Sequence, residues 1–303
     1  MTDNKIIDGK SIADNIRAEI ATHTKALGAM NVIAGLAVIQ VGDNPNSMIY
    51  VANKIKAAKE VGIHSFVFKL DEPTTTKHLI VKIEHLNNDP KIHGILVQLP
   101  LPSYVNTQEV LNTISPAKDV DGVTTENIGR LVTKQDGLVP CTPQGCLILL
   151  KSVIPDLTGL DAVVIGRSNI VGRPMSNMLI NENCTVTLTH SYTKNIEEIC
   201  RQADIIVVAI GVPKLIKSSW IKPGAVVIDV GINRINNMLI GDVDFAEILT
   251  KVRAITPVPK GVGPMTIACL LKNTIKATMQ QRSLVFDKTG AIVRKDKFRL
   301  SGV

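Results

Sequence analysis

Short apolar, β-branched runs alternate with longer segments of helical spacing along most of this 303-residue chain. In the first half, "GLAVIQVGD" (35–43), "SFVFKL" (65–70) and "GILVQLPLP" (94–102) have the length and composition of strands. Stretches at 45–61 and about 75–88 have the spacing of helices. Strand, helix, strand at these lengths predicts a parallel α/β sheet. A second series follows "VPCTPQG": "AVVIGRS" (162–168), "TVTLTHS" (185–191), "ADIIVVAIG" (203–211) and "GAVVIDVGI" (224–232). Intervals of about 20 residues leave room for one helix between successive strands, the rhythm of a doubly wound nucleotide fold. The two series predict two domains with a loop-rich join near 116–145, and a long helix from about Met265 to Gln280 that returns to the first of them.

The turn after the first strand of the second series, "VVIGRSNIVGRP" (163–174), is glycine-containing but is not G-x-G-x-x-G. Gly166 and Gly172 stand six apart, with Arg167, Ser168 and Asn169 in the gap and Arg173 and Pro174 beyond it. Pro174 suits a first helical turn, and unpaired N–H groups at a helix start attract phosphate. Where an NAD-binding unit carries an acid on the ribose 2′-hydroxyl, this chain has Thr189, His190 and Ser191. A carboxylate would repel a 2′-phosphate, whereas a hydroxyl and arginines bind one. The expected ligand is therefore NADP, held by Gly166, Arg167, Ser168, Arg173 and Ser191.

In the first series, "DNPNSMIYVANKIKAAKEVGI" opens on Asn44 as a cap and Pro45 in the first turn and closes at Gly62. Tyr50 and Lys54 are four apart and share a face, with Ser47 one turn earlier. Gln98 lies at the carboxyl end of a predicted strand, where open α/β sheets place their ligands, and the prolines after it cannot join a ladder. A lysine held by a neutral amide sheds its proton more readily than one paired with an acid. "KDVDGVT" adds Asp119 and Asp121 around Gly122, a pattern that serves equally as a turn.

Composition narrows the classes. Aromatic residues are only 3% of the chain, too few for a base-stacking platform, so no nucleic-acid partner is expected. The net charge is +7, of which the segment 283–303 carries five basic residues against Asp287 and Asp296, leaving +4 elsewhere. Five cysteines without a C-x-x-C pair, and histidines without H-E-x-x-H spacing, predict reduced thiols and no metal site. The start "MTDNKIIDGK" is polar and no run has the length of a membrane span, so a cytoplasmic protein is expected.

Taken in order, "YVANKIKAAKEVGI", "GILVQLPLP", "KDVDGVT", "PCTPQG", "VIGRSNIVGRP" and "TPVPKGVGPMT" resemble the bifunctional methylenetetrahydrofolate dehydrogenase/methenyltetrahydrofolate cyclohydrolase family over roughly residues 5–282. The resemblance implies an amino-terminal catalytic α/β domain (1–139) completed by the helix at about 265–282. It further implies a Rossmann-like NADP domain (140–264), a cleft between the two, a homodimer, and tetrahydrofolate derivatives as substrates. The basic tail (283–303) lies outside it. Lys54 would be the central catalytic residue, Tyr50 a stacking partner of the folate, Gln98 the group that tunes the lysine, and Asp121 the pterin-binding carboxylate. Ser47, Pro264 and Thr266 would join Tyr50 and Asp121 around the substrate, and Ile232 would join the glycine loop around NADP. Lys260 stands where the family more often has glycine. Two rivals remain at this point: a monofunctional NAD(P)-dependent dehydrogenase of a related fold, and a nucleotide-sensing or nucleic-acid-binding protein that has lost the chemistry. For the tail, an extra strand pair around "KTG", a basic end and a partner segment are all open, with no catalytic role expected.

Overall fold

The computed structural model describes residues 5–71, 73–236 and 238–296. The elements run in the predicted alternation: α1 Gly9–Ala29, β1 Gly35–Val41, α2 Pro45–Glu60, β2 His64–Leu70, α3 Thr76–Asn88, β3 Gly94–Val97, α4 Thr107–Thr113 and α5 Thr125–Val132. They continue with α6 Cys141–Val153, β4 Asp161–Ile165, α7 Gly172–Asn181, β5 Thr185–Thr189, α8 Ile196–Cys200, β6 Ile205–Val208 and β7 Val226–Asp229. The last are β8 Asn233–Ile235, β9 Met238–Ile240, α9 Phe245–Ile248, β10 Ala254–Ile255, α10 Val262–Gln281, β11 Leu284–Phe286 and β12 Ile292–Arg294. Two compact units form. The first takes residues 15–130, 136–139 and the chain from 270; the second takes the chain up to 14, 131–135 and 140–269.

The first unit is built on a parallel sheet in the order β2-β1-β3. β1 is central and buried on both faces, which is why its seven residues read as an almost continuous apolar run. Ala37, Ile39 and Val41 from β1 pack with Leu79, Ile83 and Leu86 of α3 and with Ile95 and Val97 of β3. The loop "KDVDGVT" is tied to this core from both sides. The Lys118 ammonium, mostly buried, donates to the carbonyls of Leu86 (3.1 Å) and Asp89 (2.9 Å) at the end of α3. The Asn273 amide on α10 donates to the carbonyls of Val120 and Val139. β3 is shorter than its apolar run, because Pro100 and Pro102 have no N–H to give to a ladder. The strand pattern does not predict α1, a 21-residue helix whose first turn is capped by the Asp8 carboxylate accepting from the Ser11 amide.

The second unit holds a five-stranded parallel sheet in the order β10-β7-β6-β4-β5, the doubly wound arrangement. β6 and β7 are fully buried and their core continues into Ile216, Ile221, Val243 and Ile248. Both end before their apolar runs do. After β6 the amides of Ile210 and Gly211 leave the ladder and donate to the Asp242 carboxylate. After β7 the chain enters the antiparallel pair β8 and β9. Beyond α10, β11 and β12 pair antiparallel around residues 288–290, with Gly290 at φ +81° and the Asp287 carboxylate accepting from Thr289 and Ala291. Lys297 and Arg299 of the tail lie outside the described residues.

Candidate functional site

In the first unit α2 starts where its cap requires. The Asn44 side chain accepts from the amides of Asn46 (3.0 Å) and Ser47 (3.2 Å), and Pro45 sits in the first turn. This fixes the phase of the helix. Ser47 is buried, and Tyr50 and Lys54 follow on the same face, Tyr50 with 37% of its surface exposed. The Lys54 ammonium donates to Gln98 Oε1 at 2.9 Å. Gln98 is held at both ends: its amide N–H donates to the Ile39 carbonyl (2.8 Å), continuing the β1–β3 ladder, and its Nε2 donates to the Leu99 carbonyl (2.6 Å). With Nε2 committed, the oxygen is the atom left to face the lysine, and it brings an acceptor without a countercharge.

The two aspartates separate by role. Asp119 is fully buried and its carboxylate accepts from the amides of Gly122, Val123 and Thr124 and from the Asn127 side chain. It builds the turn, with Gly122 at φ +73°. Asp121, two residues on, is partly exposed. The turn-forming alternative thus describes Asp119.

In the second unit the six-residue glycine spacing has a steric reason. Gly166 has φ +110°, and a Cβ there would overlap the Ala209 carbonyl; a Cβ on Gly172 would overlap the carbonyl of Gly166 itself. The two glycines face each other, so the loop closes tightly enough for a ligand to approach its backbone. The Ser168 hydroxyl accepts from the amides of Val171 and Gly172, both at 3.3 Å. Both acceptor lone pairs are thereby used, leaving the O–H to donate, which suits an anionic oxygen. Arg167 is exposed and lies 5.7 Å from the ring centroid of Tyr192, in the loop that carries Ser191 after β5. Arg173 Nε donates to the Arg167 carbonyl at 3.3 Å. No acid ends β5; Thr189 is buried there and its hydroxyl donates to the Val164 carbonyl. Ile232, after β7, is 42% exposed and near Gly263. Pro264 and Thr266 lie in the first turns of α10, in this unit, with the hydroxyls of Thr266 and Thr142 of "PCTPQG" 3.0 Å apart. These features fit a dinucleotide with a 2′-phosphate.

The chain matches the model of the tetrahydrofolate dehydrogenase/cyclohydrolase catalytic domain over residues 7–121 and that of the corresponding NAD(P)-binding domain over residues 140–282. The chain belongs to the tetrahydrofolate dehydrogenase/cyclohydrolase family. It is 52% identical over 290 residues to "Bifunctional protein FolD" of Paramagnetospirillum magneticum, covering 94% of this chain and 98% of that one. The crystal structure of the bifunctional enzyme FolD from Campylobacter jejuni is similar with a TM-score of 0.90 and 47% identity, covering 91% of this chain and 99% of that one. The Trypanosoma brucei FolD structure, complexed with NADP cofactor and inhibitor, is similar with a TM-score of 0.86 and 36% identity, covering 91% and 97%. The second unit also holds two buried acids outside the quoted motifs. The carboxylates of Asp229 and Asp242 are 3% and 0% exposed, and burial, aided by Asp242, pushes the Asp229 carboxyl up to about 6. Their signal in the sequence is faint: acids that close short apolar runs, in "VVIDVG" and "LIGDVD".

Proposed function

We propose that this chain is a bifunctional one-carbon folate enzyme. It oxidises 5,10-methylenetetrahydrofolate with NADP⁺ to 5,10-methenyltetrahydrofolate, then hydrolyses that product to 10-formyltetrahydrofolate. The observation that carries this reading is the Lys54–Gln98 hydrogen bond on the helix of Tyr50, in a chain that matches both family domains.

When bound, NADP⁺ supplies the hydride acceptor. The second unit has the groups to hold it: the Gly166 loop backbone and the Ser168 O–H for phosphate oxygens, Arg167, Arg173 and Ser191 for the 2′-phosphate, and Ile232 as an apolar wall. Hydride leaves the one-carbon bridge without acid or base help, because the adjacent folate nitrogens stabilise the cation that remains. The protein's contribution there is orientation. Tyr50 offers a ring face and Asp121 a carboxylate for the adjacent N–H donors of the aminopyrimidine edge, with Ser47 one turn before Tyr50.

Hydrolysis needs proton transfer. Water adds to the methenyl carbon, its proton must leave, and another must reach the departing nitrogen as the ring opens. Lys54 performs both transfers, and Gln98 positions its amine without locking it in the charged form. The catalytic domain is read as residues 1–139 completed by the helix at about 265–282, the NADP domain as 140–264, and the working protein as a cytoplasmic homodimer without a nucleic-acid partner. Among the described residues no helix is long and apolar enough to cross a membrane.

The test follows reduced nicotinamide and the methenyl intermediate together, with methylenetetrahydrofolate and either NADP⁺ or NAD⁺. Reduction with NADP⁺ followed by enzyme-accelerated loss of methenyl supports both activities. Lys54→Met should abolish the second and leave part of the first. Equal loss of both, with normal folate binding, would refute the assigned division of roles.

A further inference from the structure

Two buried carboxylates organise the loops at the carboxyl ends of β6 and β7. Asp242 Oδ2 accepts from the amides of Ile210 (2.8 Å) and Gly211 (2.9 Å), and its Oδ1 accepts from the Asn233 side chain (2.8 Å). Asp229, the last residue of β7, accepts through Oδ1 from the amides of Gly231 and Asp242 and through Oδ2 from that of Val243. The packing is reciprocal. A Cβ on Gly231 would overlap the Asp242 carboxylate, and one on Gly241 would overlap that of Asp229. Each acid thus lies against a glycine beside the other, and neither loop can shift alone.

The position of these loops gives the arrangement a use. The adenosine end is read at β5 and the phosphates at the loop after β4, so a dinucleotide laid across the sheet extends its other half over β6 and β7. The loop after β6 also braces the glycine turn, since Ala209 and Ile210 are the residues a Cβ on Gly166 would strike. Ile232 sits between Gly231 and Asn233, both fixed by the two acids. One buried side chain therefore connects the phosphate turn, the loop after β6 and the loop after β7.

We propose that Asp242 is the positioning residue for the nicotinamide half of the cofactor, holding the Ile210–Gly211 and Ile232 loops in register with the Gly166 turn. This rests on the reading that the Gly166 loop holds NADP. Its interactions are all within the second unit, so its influence falls on the dehydrogenase and not on the proton transfers assigned to Lys54.

The test uses the full chain. Asp242→Asn keeps the volume but turns an NH₂ towards either the Asn233 amide or the two backbone N–H groups, breaking one arm. Asn233→Ala removes one arm and leaves the buried acid in place, so a folded variant is available if the first does not fold. The NADP⁺ affinity by calorimetry and KM in the dehydrogenase assay should weaken about tenfold for Asp242→Asn and about threefold for Asn233→Ala. Hydrolysis of methenyltetrahydrofolate without nucleotide should stay within about twofold. The swap Asp242→Asn with Asn233→Asp, which reverses donor and acceptor, should recover most of the affinity. Arg167→Ala is measured alongside. If it leaves NADP⁺ binding unchanged, the glycine-loop reading is wrong. If it weakens binding while folded Asp242→Asn and Asn233→Ala do not, the inference is wrong and the reading stands. A parallel fall of both activities in folded Asp242→Asn would likewise overturn it, by making the residue merely structural.

Discussion

Gln98→Glu places a negative charge where Lys54 now meets a neutral oxygen at 2.9 Å. A unit charge pair at that separation is worth about 1.4 kcal/mol in water and about 6 kcal/mol at an effective dielectric of about 20. Both side chains are partly exposed, so the lower part of that range applies, about 1.5–3 kcal/mol, equivalent to about 1–2 pH units. The sign follows from the charge: a carboxylate favours the ammonium, so the lysine gives up its proton only at higher pH. The assay is the pH dependence of kcat for methenyltetrahydrofolate hydrolysis without nucleotide. Its rising limb should move to higher pH by about 1–2 units, with the rate near pH 7 falling about 10- to 100-fold and recovering at the alkaline plateau. A uniform fall with an unmoved profile would mean that Gln98 only holds Lys54 in place. An unmoved profile and an unchanged rate would remove the lysine from proton transfer altogether.

Three other measurements probe separate parts of the molecule. Asp121→Ala should weaken folate binding about tenfold or more and leave NADP⁺ affinity intact, because the buried Asp119 carboxylate remains to hold the turn amides; equal losses in titrations of the two ligands would refute its pterin role. Lys260 is an exposed residue with φ +81°, a conformation that strains an L side chain. Lys260→Gly keeps the backbone bond from the Lys10 amide and should stabilise the second unit by about 0.5–1 kcal/mol in urea unfolding, whereas a loss of that size would mean the lysine makes a compensating contact. The Asp229 carboxyl is raised from an ordinary value of 3.8 to about 6, so its favourable contribution is complete only below about 3.8 and is lost as pH rises through about 6. Between about pH 4.5 and 7.5 this amounts to about 2 kcal/mol of stability lost. Asp229→Asn, which cannot ionise, should lack that component, and identical pH dependence in the two proteins would contradict the raised carboxyl.

Much of the architecture was written locally. The runs at 35–41 and 94–97 are apolar throughout because parallel strands are covered on both faces, and Asn44 with Pro45 marked the start of α2 to the residue. The absence of an acid after β5 and the arginines of the glycine loop are likewise local features, the ones on which the expectation of a 2′-phosphate rests. Even α1, which the strand pattern passes over, had a local signature in Asp8 and in Ile12, Ile16 and Ile20 four apart. What the sequence alone determined was thus the kind and order of the elements, since burial period, caps and turn residues act over a few neighbouring positions. Tertiary structure decided which groups meet: Lys54 with Gln98 across 44 positions, Asp119 with its turn amides, and Asp242 with Ile210 and Gly211 across 32 and 31. Those meetings depend on strand register and on where each loop closes, and a hydrogen bond formed over such separations leaves no periodic trace in the residues between its partners.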